Sequence, residues 1–260
     1  MLRRNVIIPI ILFFLMACMS CAGSGPTGGK TGGASDKDKA RALEDLGISF
    51  IRQGNLRAAL QNLLEADKLD PENPYIKQQL AQVFRDLGDY QKALEYFQQA
   101  LILKPRFPEV QNNLGALYIL LKDWDKAIEY CQKAASDLLY TTPHFAYSNL
   151  GTAHYFKGNS AMAIRSFQQA LKLAPEYSPA YFGLGYVYED LNDLSRAIEA
   201  YRKSIFYSPE NARAFFRVGK IYRRLNRNAE ARESLNRFLE LVPEGPDADE
   251  ARQLLETIPP

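Results

Sequence analysis

Histidine and cysteine are nearly missing from this 260-residue chain, which holds two His and three Cys. No H-E-x-x-H is present, and the single C-x-x-C, Cys18 to Cys21, directly follows an N-terminal apolar run with no second Cys or His pair beside it, so zinc sites and dithiol redox chemistry are disfavoured. A surplus of one charge is missing too: 32 Lys and Arg stand against 30 Asp and Glu, a formal charge of +2. A protein whose affinity comes from neutralising a phosphate backbone needs a clear basic excess, so nucleic acid is not the expected partner. A membrane-length apolar run is also lacking at the N-terminus. Val6 to Met16 is eleven residues long, whereas a spanning helix needs about 20. What remains is 47% apolar and 24% charged, the composition of an ordinary folded protein, long enough for one large core or an array of small units. These absences lean away from an enzyme.

The N-terminus reads as an address. Arg3 and Arg4 precede the apolar run, and small residues follow it, the three parts of a secretion signal. Leu15-Met16-Ala17-Cys18 resembles the lipobox of bacterial lipoproteins, which implies a signal peptide over 1–17 and a lipidated Cys18 as the mature N-terminus. Cys21 is the rival, but it would put Cys18 where the pattern wants Leu; an ordinary cleaved signal with two incidental Cys is the other alternative. Several acyl chains on one residue would supply the membrane signals that stable anchoring requires. Ala22 to Asp38 then contains six Gly with Ser, Thr and Pro. Such a segment cannot bury apolar area, so 18–39 reads as the anchor and a flexible tether, with a typical span on the order of 20–25 Å. Met19 rather than Asp follows Cys18, and by resemblance to lipoproteins of two-membrane cells this implies an outer-membrane location facing the periplasm.

A 34-residue period organises the rest. Small residues recur at Ala59, Ala93, Ala127, Ala163, Ala197 and Ala231, and again at Gly47, Ala81, Gly115, Gly151, Gly185 and Gly219. Pro71, Pro105, Pro175, Pro209 and Pro243 mark five unit ends, and Leu139 holds that place in the third. This pattern, with Leu114-Gly115, Tyr118, Trp124 and Ala127 in the third unit, resembles the tetratricopeptide repeat. The units fall at 40–73, 74–107, 108–143, 144–177, 178–211 and 212–245. The resemblance implies an all-α fold, a right-handed α-solenoid of six repeats, each a helix pair A and B. Small residues at the eighth and twentieth positions let the two helices approach, and bulky ones at the fourth, seventh, eleventh and twenty-fourth fill the seam. Ala251, Leu254, Leu255 and Ile258 lie along one side of a final helical segment, so 246–260 reads as a capping helix and tail.

Chemistry for catalysis is hard to find. His154 sits at the eleventh position of repeat 4, where an aromatic packs, and Cys131 at the twenty-fourth of repeat 3; both read as packing residues rather than base or nucleophile. No metal, cofactor or phosphate loop is expected. Binding is better served. In the family the second, fifth, ninth and twelfth positions of helix A line a concave groove. Here they and their neighbours supply Phe145, Tyr155 and Phe156 in repeat 4, and Phe182 and Tyr186 in repeat 5. Repeat 6 adds Arg213, Phe216, Arg217, Lys220 and Arg224, so aromatics lead to a basic end. Some of these rings could instead pack between adjacent helices. Asn113 and Asn149 occupy the sixth position of repeats 3 and 4, and resemble groove amides that clamp an extended peptide backbone; the alternative is helix-surface Asn without a role. A full carboxylate clamp is excluded, because Ser148 and Thr152 stand where Lys and Asn would be needed.

The two extra residues of the array fall in repeat 3, where Asp137-Leu138-Leu139-Tyr140-Thr141-Thr142-Pro143 interrupts an otherwise strict period. With the anchor, the tether and six repeats, this junction resembles the type IV pilus pilotin lipoproteins of the PilF/PilW/Tgl family, whose junction has the form Asp-Pro-Leu-Tyr-x-x-Pro; Leu138 replaces the Pro. The resemblance implies a non-catalytic carrier that binds secretin subunits and promotes their outer-membrane placement and multimerisation. Alternatives are an NlpI-like adaptor lipoprotein gathering peptidoglycan hydrolases and proteases, or a regulatory repeat subunit of an envelope enzyme.

Overall fold

A computed structural model describes residues 35–259. The expected leader, Cys18 and most of the tether lie outside the described residues. From Asp36 onward the chain forms one compact unit, and its described elements are thirteen α-helices without a strand. Twelve of them are the A and B helices of six repeats: α1 (Asp36–Arg52) with α2 (Leu56–Leu69), α3 (Pro74–Asp86) with α4 (Tyr90–Leu103), α5 (Pro108–Leu120) with α6 (Trp124–Ala135), α7 (Pro143–Phe156) with α8 (Ser160–Leu173), α9 (Ser178–Asp190) with α10 (Leu194–Tyr207), and α11 (Ala212–Arg224) with α12 (Asn228–Leu241). The last, α13 (Pro246–Thr257), covers α12 as the capping helix.

The repeat register follows from where small and special residues fall. A Cβ at Gly115 would lie 2.3 Å from the Cys131 sulfur, and one at Gly185 would lie 2.4 Å from the Tyr201 ring, so the eighth and twenty-fourth positions must match small with large. Between A and B, the fifteenth position has positive φ in all six repeats: Gly54, Gly88 and Gly158, but also Lys122, Asn192 and Asn226. This is the left-handed residue that closes a helix. The next residue then caps helix B: Asn55, Asp89, Asp123 and Asp193 each accept a hydrogen bond from the amide three residues on. The B helices stop two residues before each repeat's proline, so proline follows the cap rather than cutting a helical turn. The first helix starts at Asp36, four residues ahead of the repeat register, with Asp36 and Asp38 in the turn where the helix dipole favours acids.

Two large buried clusters form the core, one from Ala40 to Ala153 and one from Ala163 to Ile258, with a small cluster of Ala134, Tyr140 and Ala146 at the junction of repeats 3 and 4. The described residues thus bury their apolar side chains among themselves. Cys131 and His154 are inside it, 0% and 6% exposed. Burial pushes the Cys131 thiol up to about 12, which leaves it inert.

Candidate functional site

The A helices α5, α7 and α9 pack side by side, which sets the second, fifth, sixth, ninth and twelfth positions of consecutive repeats on one face. Contacts along that face run from one repeat to the next, and they differ sharply between its two ends.

Toward the N-terminal end the face is lined by amides. Gln78, Gln79 and Gln82 on α3 and Asn113 on α5 are half-buried, and no hydrogen bond engages their side chains among the described residues. Asn149 does have a partner: its Nδ2 donates to Oδ1 of Asn112 at 2.9 Å, across the junction of repeats 3 and 4. Asn112 and the three glutamines were not singled out from the sequence. Their signal was available, since the fifth and sixth positions read Gln-Gln, Asn-Asn and Ser-Asn in repeats 2, 3 and 4. In repeat 5 the series stops, because a Cβ at Gly183 would lie 2.3 Å from the Phe167 ring, and no side chain fits there.

Toward the C-terminal end the rings and cations are engaged with one another. The Tyr155 hydroxyl donates to Asp190 at 2.6 Å, and its ring leans on Phe156 and Tyr186. Burial and the Asp190 carboxylate both raise the Tyr155 pKa, so it stays a donor. Phe182 and Tyr186 meet edge to face at 5.0 Å, over the fully buried Tyr201. Arg217 stacks over the Tyr186 ring at 4.3 Å and pairs with Glu189, which also accepts from the Tyr201 hydroxyl at 2.8 Å. Lys220 pairs with Glu250 of the capping helix, and Arg224 donates to Asn192. The basic end expected from the sequence is therefore two cations weaker, because Glu189 and Glu250 neutralise Arg217 and Lys220. Arg213 alone of the four remains exposed without a hydrogen bond or ion pair among the described residues.

The expected exposed aromatics divide in the same way. Phe156 is 55% exposed although its ring stacks on Trp124, and Phe145 is 39% exposed beside Tyr177. Tyr155, Phe182 and Tyr186 are half-buried. Phe216 departs from the expectation: it is 8% exposed and packs on Phe238 of α12, its partner helix in the same repeat, at 4.8 Å. On the B-helix side, a cleft of about 1280 Å³ opens between α10 and α12 over Phe215, Val218 and Tyr222 of α11. Among the described residues no cluster of His, Cys, Asp or Glu is arranged to hold a metal ion, and no helix is long and apolar enough to cross a membrane.

The repeat architecture has counterparts among known proteins. The tetratricopeptide repeat family profile matches residues 79–138, 148–207 and 190–249, more than half of the chain. PilW, a widely conserved type IV pilus biogenesis factor, superposes with a TM-score of 0.75 at 25% identity, over 82% of this chain and 98% of PilW. PilF of Pseudomonas aeruginosa superposes with a TM-score of 0.72 at 21% identity, over 84% of this chain and 98% of PilF. Among sequences, the probable UDP-N-acetylglucosamine–peptide N-acetylglucosaminyltransferase SPINDLY of Hordeum vulgare is 26% identical over 158 residues, 60% of this chain but 14% of that protein's length. A register of small and left-handed residues repeated six times, and matched over more than half its length, makes this chain a member of the tetratricopeptide repeat family.

Proposed function

We propose that this protein is a lipid-anchored pilotin, held on the periplasmic face of the outer membrane through Cys18, which binds secretin subunits of a type IV pilus and promotes their placement and multimerisation. It acts by binding and catalyses no reaction. The observation that carries this reading is the extent of the structural likeness, which takes in 98% of both PilW and PilF, so that their whole repeat arrays correspond to this one. The leader, the tether and the irregular junction at Asp137–Pro143 support it from the sequence. The likeness to SPINDLY supports repeats alone, since so little of that protein is covered.

The concave face suits a polypeptide segment as ligand. Neighbouring helices sit about 8–10 Å apart, and an extended chain advances about 3.3 Å per residue. One amide rung per repeat therefore meets about every third residue of a bound strand, and each amide offers a donor and an acceptor to its main chain. Phe145 and Phe156, the more exposed rings, lie beside the rungs to take apolar side chains. Affinity capture from solubilised membranes tests the partner: secretin subunits should co-purify with the wild type, and their absence beside a folded, membrane-bound protein would refute the pilotin role. Labelling with a fatty-acid analogue tests the anchor separately. Cys18→Ala should lose both the label and the membrane fraction, and retention of both would reassign the lipid to Cys21.

A further inference from the structure

One turn breaks a local rule that three others keep. Asp70–Asn73, Ala174–Tyr177 and Ser208–Asn211 are β-turns closed by amide-to-carbonyl hydrogen bonds of 3.2, 3.1 and 3.0 Å, and the central pair of each is Pro-Glu. Proline presets the first central φ and a carboxylate faces water, as turn chemistry favours. Asp137–Tyr140 is the corresponding turn between repeats 3 and 4, closed at 3.1 Å, but its central pair is Leu138-Leu139. The two side chains are 95% and 73% exposed.

This exposure is built, not loose. The Leu139 amide donates to the Asp137 carboxylate at 2.8 Å, and Arg106 grips the same carboxylate through two hydrogen bonds of 2.7 and 2.9 Å. Tyr140 anchors the turn from beneath, buried with Ala134 and Ala146. Nothing within the described residues uses the leucine side chains, and the other turns show that the backbone does not need them. An apolar pair fixed in water where the chain elsewhere places a charge marks a contact surface.

Its shape decides the partner. Two adjacent side chains at the apex of a turn form a convex tip, far short of the roughly 1,000 Å² that a stable protein interface buries. A lipid surface needs neither that area nor a matching pocket. Ile102, 77% exposed in the last turn of α4, stands four residues ahead of the Arg106 that holds the turn and adds a further exposed aliphatic. The chain ahead of Ser35 supplies the proximity. On the lipid-anchored reading, on which this inference rests, the anchor keeps the protein at the membrane, so a weak insertion suffices to orient it.

We propose that Leu138 and Leu139 form a membrane-insertion tip that docks the repeat 3–4 junction on a phospholipid surface and so fixes the direction in which the concave face is presented. The test uses residues 35–260, whose described part closes its own core, attached by an N-terminal His tag to phosphatidylethanolamine–phosphatidylglycerol vesicles containing a nickel-chelating lipid. Attachment then does not depend on Cys18, and the outcome is separable from that of the lipidation experiment. A polarity-sensitive fluorophore on Leu139→Cys should brighten about threefold or more on vesicles and be quenched by spin-labelled lipid, as expected for burial at the acyl boundary. The same label on Glu176→Cys or Glu210→Cys, in the corresponding turns, should change little; Cys131 is buried and stays unlabelled. Equal small changes at all three positions would overturn the proposal. Brightening at Leu139→Cys only when the captured secretin is added would overturn it as well, by making the tip a protein contact.

Discussion

On the A-helix face, repeats 2 to 4 and repeats 4 to 6 present the same helical positions in opposite states. In the first stretch, Gln78, Gln79, Gln82 and Asn113 leave their donors and acceptors unused. In the second, Tyr155, Tyr186, Arg217 and Lys220 are spent on Asp190, Tyr201, Glu189 and Glu250. A groove position is thus not a binding position by virtue of its register. Tyr155, Arg217 and Lys220 reach an acid on the neighbouring repeat or the capping helix and are satisfied there, whereas the three glutamines and Asn113 meet no such partner among the described residues. The N-terminal stretch has unmet capacity and the C-terminal stretch has rigidity.

The hardest way to break this contrast is Tyr201→Ala. The ring is fully buried and its hydroxyl feeds Glu189, so truncation should cost about 3–5 kcal/mol, as for other large buried aromatics, seen as an earlier urea midpoint. Arg217→Ala should come next. Removing the guanidinium leaves Glu189, whose side chain is 13% exposed, with one partner fewer and uncovers the Tyr186 ring, for about 1–3 kcal/mol of lost stability. If Arg217→Ala instead left unfolding untouched and abolished capture, the C-terminal stretch would be a binding site after all.

Gln79→Ala combined with Asn113→Ala should have the reverse profile. Stability should shift within about 0.5 kcal/mol, as at surface positions generally, while partner capture weakens about tenfold, or 1.4 kcal/mol. Equal capture by the double variant and the wild type would move recognition off the amide rungs. The smallest effect concerns the border between the stretches. His154 is buried with both ring nitrogens unpartnered, and burial, helped by Lys157, lowers its pKa. The unfolded chain therefore takes up a proton near pH 6.5 that the folded chain resists. The contribution is present above that pH and is lost as pH falls. His154→Phe, with the aromatic that the eleventh position otherwise takes, should flatten the decline of stability between about pH 6.5 and 5, within the ordinary range of His titration; an unchanged decline would assign it to other groups.

Much of the fold was legible because a 34-residue period repeats each constraint six times. Gly185 facing Tyr201 and Asp193 capping α10 each follow from contacts within one repeat. The site was legible only in outline. Asn113 is half-buried and Phe156 exposed, whereas Phe216 is buried against Phe238 of α12, a contact that its helix position alone does not disclose. The glutamines of repeat 2 escaped notice because each reads by itself as an ordinary helix-surface residue.

What the sequence determined by itself was therefore everything set by short-range spacing: the helix pairs, the turns with their left-handed residue, the seam, the cap and the irregular junction. Only the tertiary structure decided which groove residues remain available. That depends on pairs such as Arg217 with Glu189 or Tyr155 with Asp190, 28 and 35 residues apart. The stacking angle between repeats brings these side chains within reach, and no local pattern encodes whether they close on each other or stay open to a partner.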